Sequence, residues 1–181
     1  PADEFQITTL IDFDSSVLGH QYASLEKIEH YKEAIAPCRT FVFLHELEQL
    51  LDQNLIKGGD LDNAVVIADQ PVEKEELERL AKKLNKPAIQ IENEGYLNTT
   101  KLNFTNEPAR HKLLDVMGDL ALLGAGIKGK ILATKPGHKA NTAFAKILKT
   151  HYREIKKLKG KPKYDPTKEV IMDAPEIQKY L

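Results

Sequence analysis

In the stretch NEPARHKLLDVMGDLALLG, residues 106–124, His111, Asp115 and Asp119 stand at i, i+4 and i+8. On a helix this spacing stacks one imidazole and two carboxylates on a single ridge. Leu113, Leu114, Met117 and Leu120 fall on other faces, where they can pack a core. An imidazole and a carboxylate one turn apart can bind the same metal ion, and zinc accepts both donor types. The plainer alternative is a surface ion pair, and two ligands fall short of the three that catalytic zinc usually takes from a protein. The spacing leaves both readings open. A second cluster, TKPGHKAN at 134–141, falls where a strand runs out and a helix begins. Helix N-termini favour nearby anions, and the alternative here is a plain turn with His138 as a polar cap.

The elements that must position these groups follow from hydrophobic period and turn residues. Phe5–Phe13 alternates and predicts a strand ended by Asp14-Ser15-Ser16. Leu25–Ala36 has helical spacing at Ile28, Tyr31 and Ile35, closed by Pro37. Arg39–Phe43 is a short apolar run. His45–Asn54 predicts a helix, with Leu44, Leu47, Leu50 and Leu51 on one face, broken by Gly58-Gly59. Ala64–Ala68 reads as a strand and Glu73–Lys83 as a charged surface helix. Ile89–Ile91 and Tyr96–Phe104 read as short strands around a Gly turn. A helix is predicted from Asn106 or Glu107 to about Leu123, with Pro108 tolerated in its first turn. Ile127–Thr134 predicts a strand, Lys139 to about Lys157 a long helix, and Leu158–Tyr164 a linker. The mixture lacks a strict βαβ repeat. The expected class is α+β, a two-layer α/β sandwich with a mixed β-sheet and packed helices.

The chain has 181 residues, 41% hydrophobic and 29% charged. That suits one globular domain with a short appendage and excludes disorder throughout. No apolar run reaches the roughly 18 residues of a membrane span, and no signal peptide is visible at the start. The one cysteine, Cys38, excludes an internal disulfide and fits a reducing cytoplasm. Beside Arg39-Thr40 it could lie near a site, but a buried inert thiol is expected. Position 1 is Pro, which suggests a piece of a longer product. The net charge of −1 hides an asymmetry: His138 to Lys163 holds nine Lys/Arg and one acid, Glu154. Such a stripe could make the chain a non-enzymatic anion-binding module through helix 138–163. Only Phe144 and Tyr152 interleave with these cations, too few to stack a run of bases, so no nucleic-acid partner is expected. His20, His30, His45 and His151 lack metal-ligand spacing and read as surface or capping histidines.

Four motifs, RHKLLDVMGDL, KPGHKANTAF, CRTFVF and GGDLDNAVV, match in order and spacing. They resemble the zinc-dependent UDP-3-O-acyl-N-acetylglucosamine deacetylase family of lipid A synthesis. The resemblance covers roughly Phe5 to Tyr152 and only the second of that family's two domains, whose active site lies between them. It implies a Zn2+ cofactor and a UDP-linked acylated N-acetylglucosamine substrate. It makes His111 and Asp115 two zinc ligands. The third ligand, a histidine, and the general-base glutamate would come from an N-terminal domain that this chain lacks, so the chain alone should be inactive. Asp119 and His138 match a catalytic pair in which the carboxylate holds the imidazole. Thr40 matches a helper of the oxyanion, and Lys112 and Lys135 match positions near the phosphates and sugar. Phe41, Phe43, Leu47, Ile56, Leu61 and Val66 match the hydrophobic passage for the acyl chain, an insert of about 39–66. The sequence departs from the family pattern at Pro136, at Lys139 and in a long charged stretch, about 70–104, which reads as an extra insertion. The tail VIMDAPEIQKYL resembles the opening of a β-hydroxyacyl-carrier-protein dehydratase. That implies a 1–157 deacetylase domain, then a linker and dehydratase start over 158–181, in a bifunctional parent.

Overall fold

The computed structural model of the chain describes residues 3–53, 55–56, 63–86, 88–91, 95–97 and 101–159. Leu61, the Gly58-Gly59 turn and the dehydratase-like tail lie outside them. The fold is α+β with mixed sheets. Strands β1 (Phe5–Asp12), β2 (His20–Leu25) and β5 (Gly129–Thr134) form one sheet in the order β2-β1-β5. β1 runs antiparallel to β2 and parallel to β5. Helices α4 (Glu107–Ala121) and α5 (His138–Lys159) belong to the same layer pair, with α4 packed on β1, β2 and α5.

The core of this layer pair explains how α4 is oriented. Ile7, Ile11, Ala23 and Leu25 point inward from the strands and meet Ala109, Leu113, Val116 and Leu120 of α4, with Ala145 from α5. The four α4 positions repeat at four, three and four residues, which keeps them on one stripe of a 3.6-residue helix. His111, Asp115 and Asp119 are therefore carried on the side roughly opposite the core. Burying that stripe, at ~25 cal/mol per Å² of apolar area, fixes the rotation of the helix and hence the aim of its polar ridge.

The second part is built on β3 (Thr40–Phe43) and β4 (Ala64–Ile67), a parallel pair. Helices α2 (Leu44–Asp52) and α3 (Lys74–Lys83) join it. Alternation along the strands splits its side chains between two faces. Val42 and Val66 join Leu44, Leu47, Leu80 and Ala81 on the helix side. Phe41, Phe43, Val65 and Ile67 face the other way, toward Phe13 and Leu18. Phe13, Phe41 and Phe43 meet edge to face at centroid distances of 5.5 to 6.5 Å, tying the end of β1 to β3. Gly95 has φ +80, and a Cβ there would run into Val17 and the Ala68 carbonyl, so only glycine fits.

Three expectations need correction. The segment 25–36 is not one helix: it holds the end of β2, a 3₁₀ turn at Ile28–His30 and the single-turn helix α1 (Tyr31–Ala34). Pairing of β2 with β1 outweighs its helical spacing, and β2 itself has no signal beyond alternating burial. The predicted strands 89–91 and 96–104 reduce, among the described residues, to isolated bridges at Ile67–Tyr96 and Ile91–Leu97. Helix α5 runs two residues past the predicted end, into the expected linker. Among the described residues, no helix is long and apolar enough to cross a membrane.

Candidate active site

The ridge of α4 divides into two polar groups. In the first, His111 Nε2 lies 3.4 Å from Asp115 Oδ1, with the two side chains 15% and 14% exposed. Lys112 Nζ donates to Asp115 Oδ2 at 3.1 Å, which leaves Oδ1 as the carboxylate oxygen turned to the imidazole. Phe41 meets the His111 ring edge-on, and the Lys112 ammonium sits 5.6 Å from the same Phe41 ring. His111 is held below the usual histidine range. Burial is the main cause, and the Asp115 charge opposes it. The neutral form, with a lone pair to offer, is therefore favoured. Its Nδ1 is buried beside the Cys38 backbone and makes no hydrogen bond of good geometry.

This donor pair fits a zinc ion. Tetrahedral zinc with bonds of about 2.0–2.2 Å places neighbouring donor atoms roughly 3.4 Å apart, the separation seen between His111 Nε2 and Asp115 Oδ1. Among the described residues no group of three or more His, Cys, Asp or Glu could hold a metal. The pair would therefore need further ligands from elsewhere.

In the second group, Asp119 Oδ2 faces His138 Nδ1 at 2.8 Å and accepts from Asn141 Nδ2 at 2.9 Å. A carboxylate only accepts, so His138 carries its proton on Nδ1 and presents Nε2 outward. Asp119 is nearly covered, whereas His138 is 69% exposed. Asp115, Asp119 and His138 line one shallow depression with Tyr31 and Met117, so the two groups share a rim. Asn141, buried and three residues past His138, was missed at the sequence level. Its signal was the helix start, which puts 138 and 141 on one face.

Lys135 stands apart from both groups. It takes a left-handed φ of 49, and its Nζ pairs with Asp12 at 2.6 Å. His20 holds the other Asp12 oxygen at 2.9 Å, and Lys135 keeps Asp12 below the usual carboxylate range. Neither Asp12 nor His20 had a spacing signal. His45 lies 3.7 Å from Asp69 and His151 3.5 Å from Glu154. On the basic helix, Lys149 donates to the Leu122 carbonyl and Lys156 lies over Tyr152.

The passage residues also divide. Phe41, Leu47, Ile56 and Val66 line an apolar cavity of about 320 Å³, with Thr40 at its edge. Phe43 is not in that lining: it stacks on His45 at 5.6 Å, on the same face of β3 as the Phe41 ring. Leu61 lies outside the described residues. What joins the cavity to the ridge is an ion pair the sequence did not announce. Glu107, fully buried at the start of α4, accepts from the Arg39 backbone N–H and Nε at 2.9 Å, from the Arg39 guanidinium again at 3.0 Å and from the Asn103 N–H at 2.8 Å. Burial alone would raise Glu107, but the Arg39 and Asn103 hydrogen bonds outweigh it and hold the carboxyl below its usual range. The pair pins Thr40 and Phe41 beside the helix that bears His111.

A family model described as "UDP-3-O-acyl N-acetylglycosamine deacetylase" matches residues 1–86 and 80–150. The chain is 48% identical over its whole length to the "Bifunctional enzyme LpxC/FabZ" of Porphyromonas gingivalis and covers 39% of that protein. Identity to the protein of the same name in Chlorobaculum tepidum is 42%, again covering 39% of it. Over 82% of the chain it is 38% identical to the "UDP-3-O-acyl-N-acetylglucosamine deacetylase" of Chlamydia pneumoniae, covering 45% of it. The chain thus spans less than half the length of these relatives.

Proposed function

This chain belongs to the UDP-3-O-acyl N-acetylglycosamine deacetylase family, and on that basis we propose that it supplies one half of a zinc-dependent active site. The reaction is removal of the N-acetyl group from UDP-3-O-(3-hydroxyacyl)-N-acetylglucosamine in lipid A biosynthesis. The observation that carries this reading is the 3.4 Å approach of His111 Nε2 and Asp115 Oδ1 on one helix turn. When bound there, zinc would lower the pKa of its water toward ~7 and polarise the amide carbonyl. His111 and Asp115 would hold the ion, and Lys112, bonded to Oδ2, leaves Oδ1 of Asp115 to be offered. Asp119, held by Asn141, orients His138 so that its Nε2, once it has taken up a second proton, can give that proton to the leaving amine. Thr40 donates its hydroxyl to the developing oxyanion. Losing one such donor typically costs roughly 3–4 kcal/mol of transition-state stabilisation. Lys112 and Lys135 meet the substrate's charged groups, and the cavity behind Phe41 receives the acyl chain.

The proposal includes the organisation of the parent. Residues 1–157 form the second domain of the deacetylase, with about 39–66 as the passage insert, about 70–104 as an addition to it and 158–181 as a linker into a dehydratase. A preceding domain supplies the remaining metal ligand and the general base, and the protein works in the cytoplasm. Zinc content tests the site. The full-length protein should carry one catalytic zinc, lost in His111→Ala and in Asp115→Ala together with activity. His138→Ala should keep the metal while kcat falls. Full zinc in folded His111→Ala would refute the ligand assignment.

A further inference from the structure

The cavity behind β3 takes part of its wall from a helix that none of the site residues above uses. Leu84, which ends α3, lines it with Leu47, Leu51, Ile56 and Val66. Its depth there is fixed from two sides. Leu80 and Ala81 of α3 are buried against the cluster that holds Leu44 and Leu47 of α2. On the outer side Arg79 donates two hydrogen bonds to Glu48, Nε to Oε1 and NH2 to Oε2, each 2.9 Å. Lys83 Nζ adds a bond to Asp52 Oδ1 at 2.7 Å. A planar guanidinium gripping both oxygens of one carboxylate fixes orientation as well as distance. Helix α3 therefore cannot slide along α2 without breaking these contacts, and the side chain at its end stays where it is. Phe41 takes part in the cavity's lining, and its ring, on the other face of β3, meets His111.

We propose that Leu84 determines the acyl length this protein accepts, with Arg79 and Lys83 as positioning residues that hold α3 against α2. The inference rests on the deacetylase reading and adds a specificity wall to it. An apolar pocket separates ligands that differ by one methylene by roughly 10–200-fold, so moving one wall residue should move the preferred length.

The test is kcat/KM of the full-length protein on UDP-linked N-acetylated substrates of graded acyl length. Leu84→Ala should shift the optimum to longer chains and Leu84→Phe to shorter ones. The ratio between neighbouring lengths should change roughly tenfold. Arg79→Ala combined with Lys83→Ala should flatten the profile without abolishing activity. Thermal melting checks folding, and Leu84→Met replaces Leu84→Phe if the latter does not fold. A length profile that stays unmoved in folded Leu84 variants overturns the inference while leaving the deacetylase reading intact. Absence of deacetylation by the unsubstituted protein at every length overturns both.

Discussion

On the proposed function, His111 and Asp115 would each offer one atom to a shared ion, because their other atoms are already engaged or enclosed. Asp115 Oδ2 holds Lys112, and His111 Nδ1 is turned into the protein beside Cys38. Helical period alone made this pair legible, because i and i+4 must meet whatever the tertiary context. Asp119 joined the same ridge on the page but turns to a partner on another helix, which no spacing within α4 could announce. Cys38 gives a direct check at this scale. Burial, with the Glu107 charge adding to it, pushes its thiol up to about 11. Since the thiolate is the reactive form, native protein at near-neutral pH should react with a thiol reagent at least ~100-fold more slowly than the denatured chain. Stopped mixing with a chromogenic disulfide reads this, and comparable rates in the two states would show the thiol to be open.

Helix α4 was readable from its Pro108, its period and its glycine stop, and α5 and α2 nearly so. Pairing was not: nothing in His20–Leu25 outweighs the helical spacing that follows, yet the edge of β1 captures it. The Arg39–Glu107 pair was equally silent, because its members are far apart in sequence and meet only when β3 docks on α4. Removing one partner of a buried pair strands the other charge, at a typical cost of 3–5 kcal/mol. Glu107→Ala should therefore destabilise by about that amount in denaturant titration, and Thr40 and Phe41 should lose their fixed place beside His111. Because the folded carboxyl lies below its ordinary value of 4.5, its stabilisation is present above that value. It is lost as pH falls through the lower, folded-state value. The denaturant midpoint should drop on acidification, and Glu107→Gln should remove part of that slope. An unaltered slope would mean that other carboxylates dominate.

At the scale of the molecule, two cores meet along one seam: a three-stranded sheet with α4 and α5, and a β3-β4 unit with α2 and α3. The seam is where the ridge and the apolar cavity touch, at Phe41. Composition and periodicity announced neither the seam nor the cavity, because both arise from residues far apart in sequence. The ridge offers two metal donors and, among the described residues, no third. Its depression opens outward beside an exposed His138. On the proposed function, this chain is one wall of a cleft. Deacetylation by the chain alone, with its folding verified by circular dichroism, should be compared with that of the full-length protein under saturating zinc. Robust turnover is expected from the full-length protein and none above background from the folded chain. Robust turnover by the chain alone would contradict this reading.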